Sequence, residues 1–230
     1  MENKQEIRTI IFYLLSLFSL PLIIYLMINN IIKFDYGIRF LIFITICIII
    51  YITSLRIIIK YGYDKSLLKI NLIVYFLVYI IMIFNMTLFD ELYGRQGLTA
   101  INWNREMLGK YFNSSFNIVP FHTIKLFIRG YINNKVSYHV FFENIFGNIL
   151  AFMPFAFFIP LIFKRINNYF KFIIIMIFII LQIELLQFIT MSGSCDIDDV
   201  ILNLFGVSIA YLIFRIKIIN RVLNKVFLLE

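Results

Sequence analysis

Charged residues are scarce in this sequence. Only 15% of its 230 residues are Asp, Glu, Lys or Arg, whereas soluble domains contain about 25%. Hydrophobic residues make up 62%, well above the roughly 45–50% of soluble domains. This composition excludes a soluble enzyme and a soluble nucleic-acid-binding domain, and it excludes a disordered chain because disorder needs few apolar residues. We therefore expect an all-α, polytopic transmembrane bundle in the lipid bilayer, forming a single membrane domain over residues 1–230.

Cysteine and histidine are also rare, with two of each. Cys47 falls in the middle of a predicted span and Cys195 in a predicted outer loop, so we do not expect them to form a disulfide. His122 and His139 lack the spacing of metal ligands. The sequence contains no internal repeat and no Gly/Ser linker. These absences remove a disulfide framework, a histidine metal site and a repeat architecture from consideration.

Six long stretches with little or no charge are candidates to cross a bilayer, because a span needs about 20 mostly apolar residues. The second and sixth are short, and the fifth contains one charged residue, Glu184. An alternative is five spans with one re-entrant or interfacial segment. The six stretches are residues 9–32, 40–55, 70–89, 144–163, 172–195 and 200–214.

The lysines and arginines are distributed unevenly among the short connections. The connection 56–69 and the tail after Phe214 carry four each, and the loop 164–171 carries three. The loop before the sixth span has none and contains three aspartates instead. The positive-inside rule therefore predicts a multi-pass protein with both termini in the cytoplasm and the acidic loop outside. The net charge of +8 then reflects membrane orientation and does not indicate nucleic-acid binding.

The one long connection, residues 90–143, is predicted to lie outside and to contain amphipathic helices. Apolar residues from Phe121 to Tyr131 recur at helical spacing, with His122, Lys125 and Arg129 on the opposite side. A shorter amphipathic segment is predicted from Trp103 to Phe112. Such helices can lie in the membrane interface or pack on the bundle, and the sequence leaves both open.

Polar side chains inside the predicted spans are candidates for function, because such groups are costly in lipid. Glu184 and Gln187 lie one turn apart on the fifth span, and Asn144 and Asn148 lie one turn apart on the fourth. Asp199 and Asn203 lie one turn apart at the start of the sixth. In the predicted topology all six belong to the outer half of the membrane. We therefore predict an outward-facing polar cleft.

Each of these residues also has a purely structural interpretation. Asp198 or Asp199 could cap the sixth span, and Gln187 and Asn148 could join helices through hydrogen bonds. Gly147 with Ala151 and Gly206 with Ala210 are pairs of small residues one turn apart, and both pairs are predicted to be helix-packing positions. Glu184 could form a buried ion pair, for which the candidate bases are Arg95, Arg105, His122, Lys125 and Arg129.

Four short blocks of this sequence form a distinctive pattern: NIVPF at 117–121, GNILAFMPFAFF at 147–158, IELLQ at 183–187 and DIDDVILNLFG at 196–206. These blocks resemble the VanZ-like family and occur in that family's order. A weaker block, MTLFD at 86–90, extends the resembling region to 86–214. The chain departs from the family at Ala156, where glycine is frequent, and at 193–195, where many relatives carry an arginine.

The resemblance implies an integral protein of the bacterial plasma membrane, linked to resistance against teicoplanin and related glycopeptide antibiotics in Gram-positive bacteria. It implies no chemical reaction. A first hypothesis is a binding protein whose outer cleft takes a lipid, such as an anionic lipid held by Lys125 and Arg129, or a lipid-linked cell-wall precursor. Its predicted ligand-binding residues are Asn117, Pro120, Phe121, Arg129, Asn148, Gln187, Asp196 and Asn203.

A second hypothesis is a membrane-embedded enzyme that acts on a lipid-linked phosphate or sugar. Its candidate catalytic residues are Glu184, Asp198 and Asp199. The two aspartates, together with Asn203, could hold Mg²⁺ through oxygen ligands, and Glu184 could act as a general base. A transporter is disfavoured by the lack of a repeat and by the single acid within a span. The sequence does not identify the ligand or the oligomeric state.

Overall fold

The computed structural model describes residues 2–28, 36–64, 66–88, 109–111 and 115–226. The described chain is mainly helical, with one pair of two-residue strands. In chain order the elements are α1 (Glu2–Ile28), α2 (Tyr36–Tyr61), α3 (Ser66–Leu88), β1 (Phe116–Asn117), α4 (His122–Ile132), α5 (Tyr138–Phe142), a π-helix (Glu143–Gly147), α6 (Asn148–Ala151), α7 (Phe155–Ile162), α8 (Tyr169–Ile189), β2 (Cys195–Asp196), α9 (Ile197–Phe214) and α10 (Lys217–Val226).

Five helical segments of the described chain are long and apolar enough to cross a membrane. They correspond to the second to sixth predicted spans, which confirms the all-α polytopic architecture. Residues 9–28 of the first predicted span lie in α1, a helix of 27 residues that is not among the five, and the rest of that span lies outside the described residues. The count of six therefore stays a prediction. The five segments are Leu41–Tyr61, Ser66–Leu88, Tyr138–Ile162, Tyr169–Ile189 and Ile197–Phe214.

The two amphipathic segments predicted in the long connection differ in outcome. The segment from Phe121 to Tyr131 is helical, as predicted, and forms α4. The segment from Trp103 to Phe112 lies outside the described residues apart from a helical turn at 109–111. Arg95 and Arg105, two of the bases considered for Glu184, also lie outside the described residues.

The chain divides into two compact units. The first consists of Met1–Met82 and Arg221–Glu230, and the second of Ile83–Asn220. In the first unit, a buried chain of hydrogen bonds joins three helices. The Tyr13 hydroxyl donates to Oδ1 of Asn71 at 2.7 Å, and Nδ2 of Asn71 donates to Oγ of Ser54 at 2.8 Å. Because these polar groups have partners, their burial among apolar helices is not costly.

Helix α9 is the centre of the second unit, where it packs against α6, α7 and α8. Gly206 lets α9 approach the preceding span, since a Cβ atom at this position would lie 1.8 Å from the carbonyl oxygen of Ile149. The predicted packing role is confirmed for Gly206 and is wrong for Gly147, where a Cβ atom would meet nothing within 4 Å. This close contact also brings the start of α9 to the polar residues that precede Ile149.

At the other end of α9, aromatic and polar contacts join it to the start of α8. The ring of Tyr211 stacks on Phe172 with centroids 4.7 Å apart. The Tyr211 hydroxyl and the Arg215 guanidinium both donate to the carbonyl oxygen of Asn167, at 3.0 and 2.8 Å. The start of α8 and the end of α9 therefore lie at the same end of this unit, beside the basic loop 164–171.

Candidate functional site

The acidic block at the start of α9 is tied to the long connection by a short parallel strand pair. Strand β1 pairs with β2 in the register Phe116 to Cys195 and Asn117 to Asp196. The Asn117 side chain strengthens this pairing, because its Nδ2 donates to Oδ1 of Asp196 at 2.9 Å. The same Oδ1 accepts the backbone N–H of Asp198 at 2.9 Å. Asp196 is therefore the N-cap of α9, and the prediction that Asp198 or Asp199 caps this helix is wrong.

Asp198 instead holds the start of α4. Its carboxylate is fully buried and accepts the backbone N–H groups of Phe121 and of Ile124, the latter at 3.0 Å. Phe121 occupies the N-cap position of α4, where its side chain has no oxygen to cap the helix. Its φ of 63° is unfavourable for a bulky residue. Asp198 thus supplies from α9 the capping carboxylate that the sequence of α4 lacks.

A cavity of about 440 Å³ lies beside the other face of α9. It is bounded by the π-helix, α6, α8, the start of α9 and the end of α3, all within the second unit. Its polar lining consists of Thr87, Glu143, Asn144, Asn148, Glu184, Gln187, Ser194, Asp199 and Asn203. The cleft predicted from the sequence therefore has a counterpart in the structure.

The π-helix explains why two asparagines stand at one wall of the cavity. A π-helix shifts the backbone hydrogen-bond pattern by one residue and leaves carbonyl groups without their usual donors. Nδ2 of Asn144 donates to the carbonyl oxygen of Val140 at 2.8 Å, and Nδ2 of Asn148 donates to that of Asn144 at 3.0 Å. Nδ2 of Asn148 also donates to Oδ1 of Asp199 at 2.7 Å, which joins this wall to α9.

The opposite wall comes from the buried face of α8 and from α9. Glu184 is 4% exposed, one turn before the buried Gln187, whose Nε2 donates to the Thr87 carbonyl at 3.2 Å. Asn203 follows Asp199 by one turn of α9 and is 2% exposed. Its Oδ1 has no hydrogen-bond partner among the described residues. This wall of the cavity is thus built from buried polar side chains.

A family model described as VanZ/LLP1 matches residues 76–219. The chain belongs to the VanZ/LLP1 family. The matched segment covers more than half of the chain and includes the strand pair, α4 and the whole cavity lining. No curated protein and no solved structure matches the chain.

The predicted site residues in the VanZ/LLP1 region fall into two groups. Glu184, Asp199, Asn148, Gln187 and Asn203 line the cavity, and the structure brings them together. The others are not part of the lining. Asn117, Asp196 and Asp198 hold the strand pair and α4, whereas Pro120, Phe121 and Arg129 are exposed on or beside α4.

This division bears on the predicted Mg²⁺ ligands. Asp198 directs its carboxylate to the N-terminus of α4, whereas Asp199 and Asn203 line the cavity. The structure therefore does not bring the three oxygen ligands together. Within the described residues, no group of three or more His, Cys, Asp or Glu side chains is placed to hold a metal ion.

The carboxylates of the VanZ/LLP1 region affect a neighbouring thiol. Burial raises the pKa of Cys195, and the negative charges of Glu184, Asp196 and Asp199 raise it further.

The carboxylate of Glu143, which also lines the cavity, pairs with Nδ1 of His139 at 3.1 Å. Among the residues that the structure describes, the lining contains three carboxylates and neither lysine nor arginine.

Three of the polar lining residues, Thr87, Glu143 and Ser194, are not predicted from the sequence. Asn144 is predicted with Asn148 from their spacing of four residues, although only Asn148 is predicted to bind a ligand. Thr87 lies in the MTLFD block that weakly resembles the family. Glu143 and Ser194 stand at the ends of uncharged runs, where a polar residue carries no distinct signal.

Proposed function

We propose that this VanZ/LLP1 protein is a plasma-membrane protein of the bacterial envelope whose cavity binds the polar group of a lipid or of a cell-wall precursor. We further propose that this binding contributes to resistance against teicoplanin-type glycopeptide antibiotics. One observation carries the proposal: a cavity of about 440 Å³ in a membrane-spanning bundle is lined by nine polar side chains. Ligand sites of small molecules have volumes of about 300–1,000 Å³.

The charges at the two ends of the second unit support an outward-facing cavity. Lys164, Arg165 and Lys171 surround the start of α8, and Arg215 and Lys217 follow the end of α9. The cavity is at the other end of the same helices. Because basic ends of membrane proteins stay in the cytoplasm, the cavity then opens toward the outer leaflet.

Helix α4 supports contact with lipid beside this cavity. One side of α4 packs against α5 and α9, and the rest is exposed. Exposed apolar residues such as Leu126 and Ile132 adjoin the exposed Lys125 and Arg129. A helix with this arrangement suits the membrane interface, with its bases near anionic headgroups. We infer that α4 lies in the outer interface while it is anchored to the bundle by Asp198.

A membrane-embedded enzyme is the second candidate, and the position of Glu184 favours one form of it. A buried carboxylate that lines a ligand-sized cavity can act as a general base toward a lipid-linked phosphate or sugar. The form that needs Asp198 as a metal ligand has no support, since that carboxylate is engaged with α4. Glu184→Gln separates binding from catalysis: a catalyst would lose turnover of a bound lipid-linked substrate and keep its affinity.

The proposed function is tested by filling the cavity. A Cβ atom on Gly147 would meet nothing within 4 Å, and Gly147 lines the cavity, so Gly147→Leu should occupy ligand space without disturbing packing. In a susceptible Gram-positive host that expresses the chain, we expect the minimal inhibitory concentration of teicoplanin to fall to the level of the empty vector. Gly147→Ala is the matched control and should retain resistance, with membrane levels of both variants measured by immunoblot.

Two results would overturn this proposal. If the wild-type chain gives no resistance, its link to glycopeptides is lost. If Gly147→Leu is as resistant as the wild type, the cavity is not the site through which resistance acts.

A further inference from the structure

Four basic side chains come together at the end of the second unit that lies opposite the cavity. Arg165 precedes α8, Lys171 lies in the first turn of α8, and Arg215 and Lys217 follow the end of α9. We call these four residues the basic cluster. The two chain stretches that build this end, residues 144–183 and 200–229, contain no Asp or Glu. The basic cluster therefore has no carboxylate from its own stretches of chain.

Hydrogen bonds hold the two halves of the basic cluster together. The Arg215 guanidinium donates to the carbonyl oxygen of Asn167 at 2.8 Å and also to Oδ1 of Asn167. The Tyr211 hydroxyl donates to the same carbonyl oxygen at 3.0 Å. Arg165 is two residues from Asn167 and Lys217 is two residues from Arg215, so their Cα atoms lie within about 8 Å of this contact. The fold therefore fixes the backbone of the cluster before any ligand binds.

Lys171 is a separate indication of an anionic ligand. It lies in the first turn of α8, which contains no acidic residue. The first N–H groups of a helix lack acceptors within the helix and form the positive end of its dipole, so a lysine here adds charge of the same sign. An anion bound beside the start of α8 would offset the lysine charge and the helix dipole together.

The surroundings of the basic cluster are those of a membrane surface. The helix that begins at Tyr169 and the helix that ends at Phe214 are long and apolar enough to cross a membrane. The cluster lies where these two helices end, which is the level of the lipid headgroups. Phe163, Phe170 and Ile216 are exposed apolar side chains next to the bases in the chain. Acyl chains of a lipid would cover these side chains, whereas a soluble anion would leave them in water.

We propose that the basic cluster binds the headgroup of an anionic phospholipid. Lysine and arginine side chains form charge-assisted hydrogen bonds with phosphate oxygens, and basic positions beside the ends of spanning helices are suited to anionic headgroups. The site is distinct from the cavity and from Lys125 and Arg129 of α4. The inference goes beyond the proposed function, because it requires no ligand in the cavity.

Three probes test the inference by native mass spectrometry of the purified full-length protein in detergent. They are dioctanoyl phosphatidylglycerol, dioctanoyl phosphatidylcholine and soluble glycerophosphoglycerol. The choline lipid keeps the acyl chains and has no net charge, whereas glycerophosphoglycerol keeps the anionic headgroup and has no acyl chains. We expect the first molecule of the glycerol lipid to bind at least fivefold more tightly than either of the other probes. Its affinity should fall as the concentration of ammonium acetate rises, because salt screens exposed charges.

Variants assign this preference to the basic cluster. The double variant Arg165→Gln, Lys171→Gln removes two exposed bases and should weaken binding of the glycerol lipid at least fivefold. The matched control Arg56→Gln, Lys69→Gln removes two exposed bases of the first unit and should weaken it less than twofold. Lys217→Glu places a negative charge in the cluster and should weaken binding at least threefold. Thermal unfolding midpoints without lipid check that each variant is folded, and Lys217→Glu tests the site if the double variant is not.

The inference has three outcomes that would overturn it. Equal affinity for the glycerol and choline lipids would show that the negative charge is not recognised. Equal losses in the cluster variant and in the control would show attraction to the positive charge of the whole chain and no site at the cluster. Binding of glycerophosphoglycerol as tight as that of the glycerol lipid would show that the acyl chains do not contribute. The resistance of Gly147→Leu tests the proposed function independently of all three probes.

Discussion

Asp198 and Asp199 are consecutive residues in the first turn of α9, and their side chains point about 100° apart around the helix. Asp198 is fully buried and accepts two backbone N–H groups at the start of α4. Asp199 accepts a side-chain N–H from Asn148 and lines the cavity. One carboxylate holds the architecture in place, while the other belongs to the candidate binding site.

The three aspartates at 196–199 fall into the same two groups, one that holds the fold together and one that lines the cavity. Asp196 caps α9 and holds Asn117, so it acts with Asp198 to attach the long connection to the bundle. Asp199 acts with Asn148 and with Glu184 of α8 at the cavity. A run of acids that the sequence presents as one feature therefore has two roles, and the rotation of α9 decides which acid has which role.

The largest effect is expected from Gly206→Ala, because both roles depend on the position of α9. The added Cβ atom would lie 1.8 Å from the backbone carbonyl of Ile149, and a backbone atom cannot move aside as a flexible side chain can. We expect a loss of about 3 kcal/mol or more in the free energy of unfolding in mixed detergent micelles. Gly147→Ala, where the Cβ atom meets nothing within 4 Å, should change it by less than about 1 kcal/mol. Similar losses in the two variants would contradict the close contact.

The next largest effect is expected from Asp198→Ala. Two backbone N–H groups would lose a charged acceptor, and hydrogen bonds to charged groups contribute about 1.5–3 kcal/mol each. We expect the free energy of unfolding to fall by about 3 kcal/mol and the loop before α4 to become sensitive to limited proteolysis. Asp198→Asn keeps one acceptor oxygen and should lose about half as much. A loop that resists protease in Asp198→Ala would show that α4 does not depend on this carboxylate.

A smaller effect on stability is expected from Asp199→Asn. The amide oxygen can still accept the Asn148 N–H, so the free energy of unfolding should change by less than about 1 kcal/mol. If the cavity is the binding site that we propose, ligand affinity and teicoplanin resistance should nevertheless fall, because a charged group of the cavity lining is replaced. Measuring stability and resistance in Asp198→Asn and Asp199→Asn side by side tests the division directly. If both variants lose stability to the same extent, Asp199 is structural as well.

The sequence was sufficient for the parts of the structure that follow from local patterns. The spans that contain α8 and α9 appear as long uncharged runs, and α4 appears as apolar residues at helical spacing opposite Lys125 and Arg129. Glu184, Gln187 and Asn203 are predicted site residues because polar groups in a membrane span are unusual. Each of these signals lies within a single segment of chain.

The remaining features depend on contacts between distant segments. The bond between Asn117 and Asp196 joins residues that are 79 positions apart, and nothing at either position specifies the strand pairing. The roles of Asp198 and Asp199 depend on which face of α9 meets α4. The π-helix from Glu143 to Gly147 shifts the helical period by one residue, so Glu143 could not be placed at the cavity from regular spacing.

The smallest effect concerns Cys195, whose thiol reports on the charges around it. Its pKa is raised by burial and then by Glu184, Asp196 and Asp199, in that order, so Asp199→Asn should lower this pKa. At a fixed pH below the pKa, the thiolate fraction and the alkylation rate then increase, since the thiolate is the reactive form. The rate is measured with iodoacetamide over a pH series in a Cys47→Ser background.

Asp198 is not among the charges that raise this pKa, so Asp198→Asn should leave the profile of alkylation rate against pH unchanged. A profile that shifts equally in both variants would show that the two carboxylates share one electrostatic environment, which contradicts their division between α4 and the cavity.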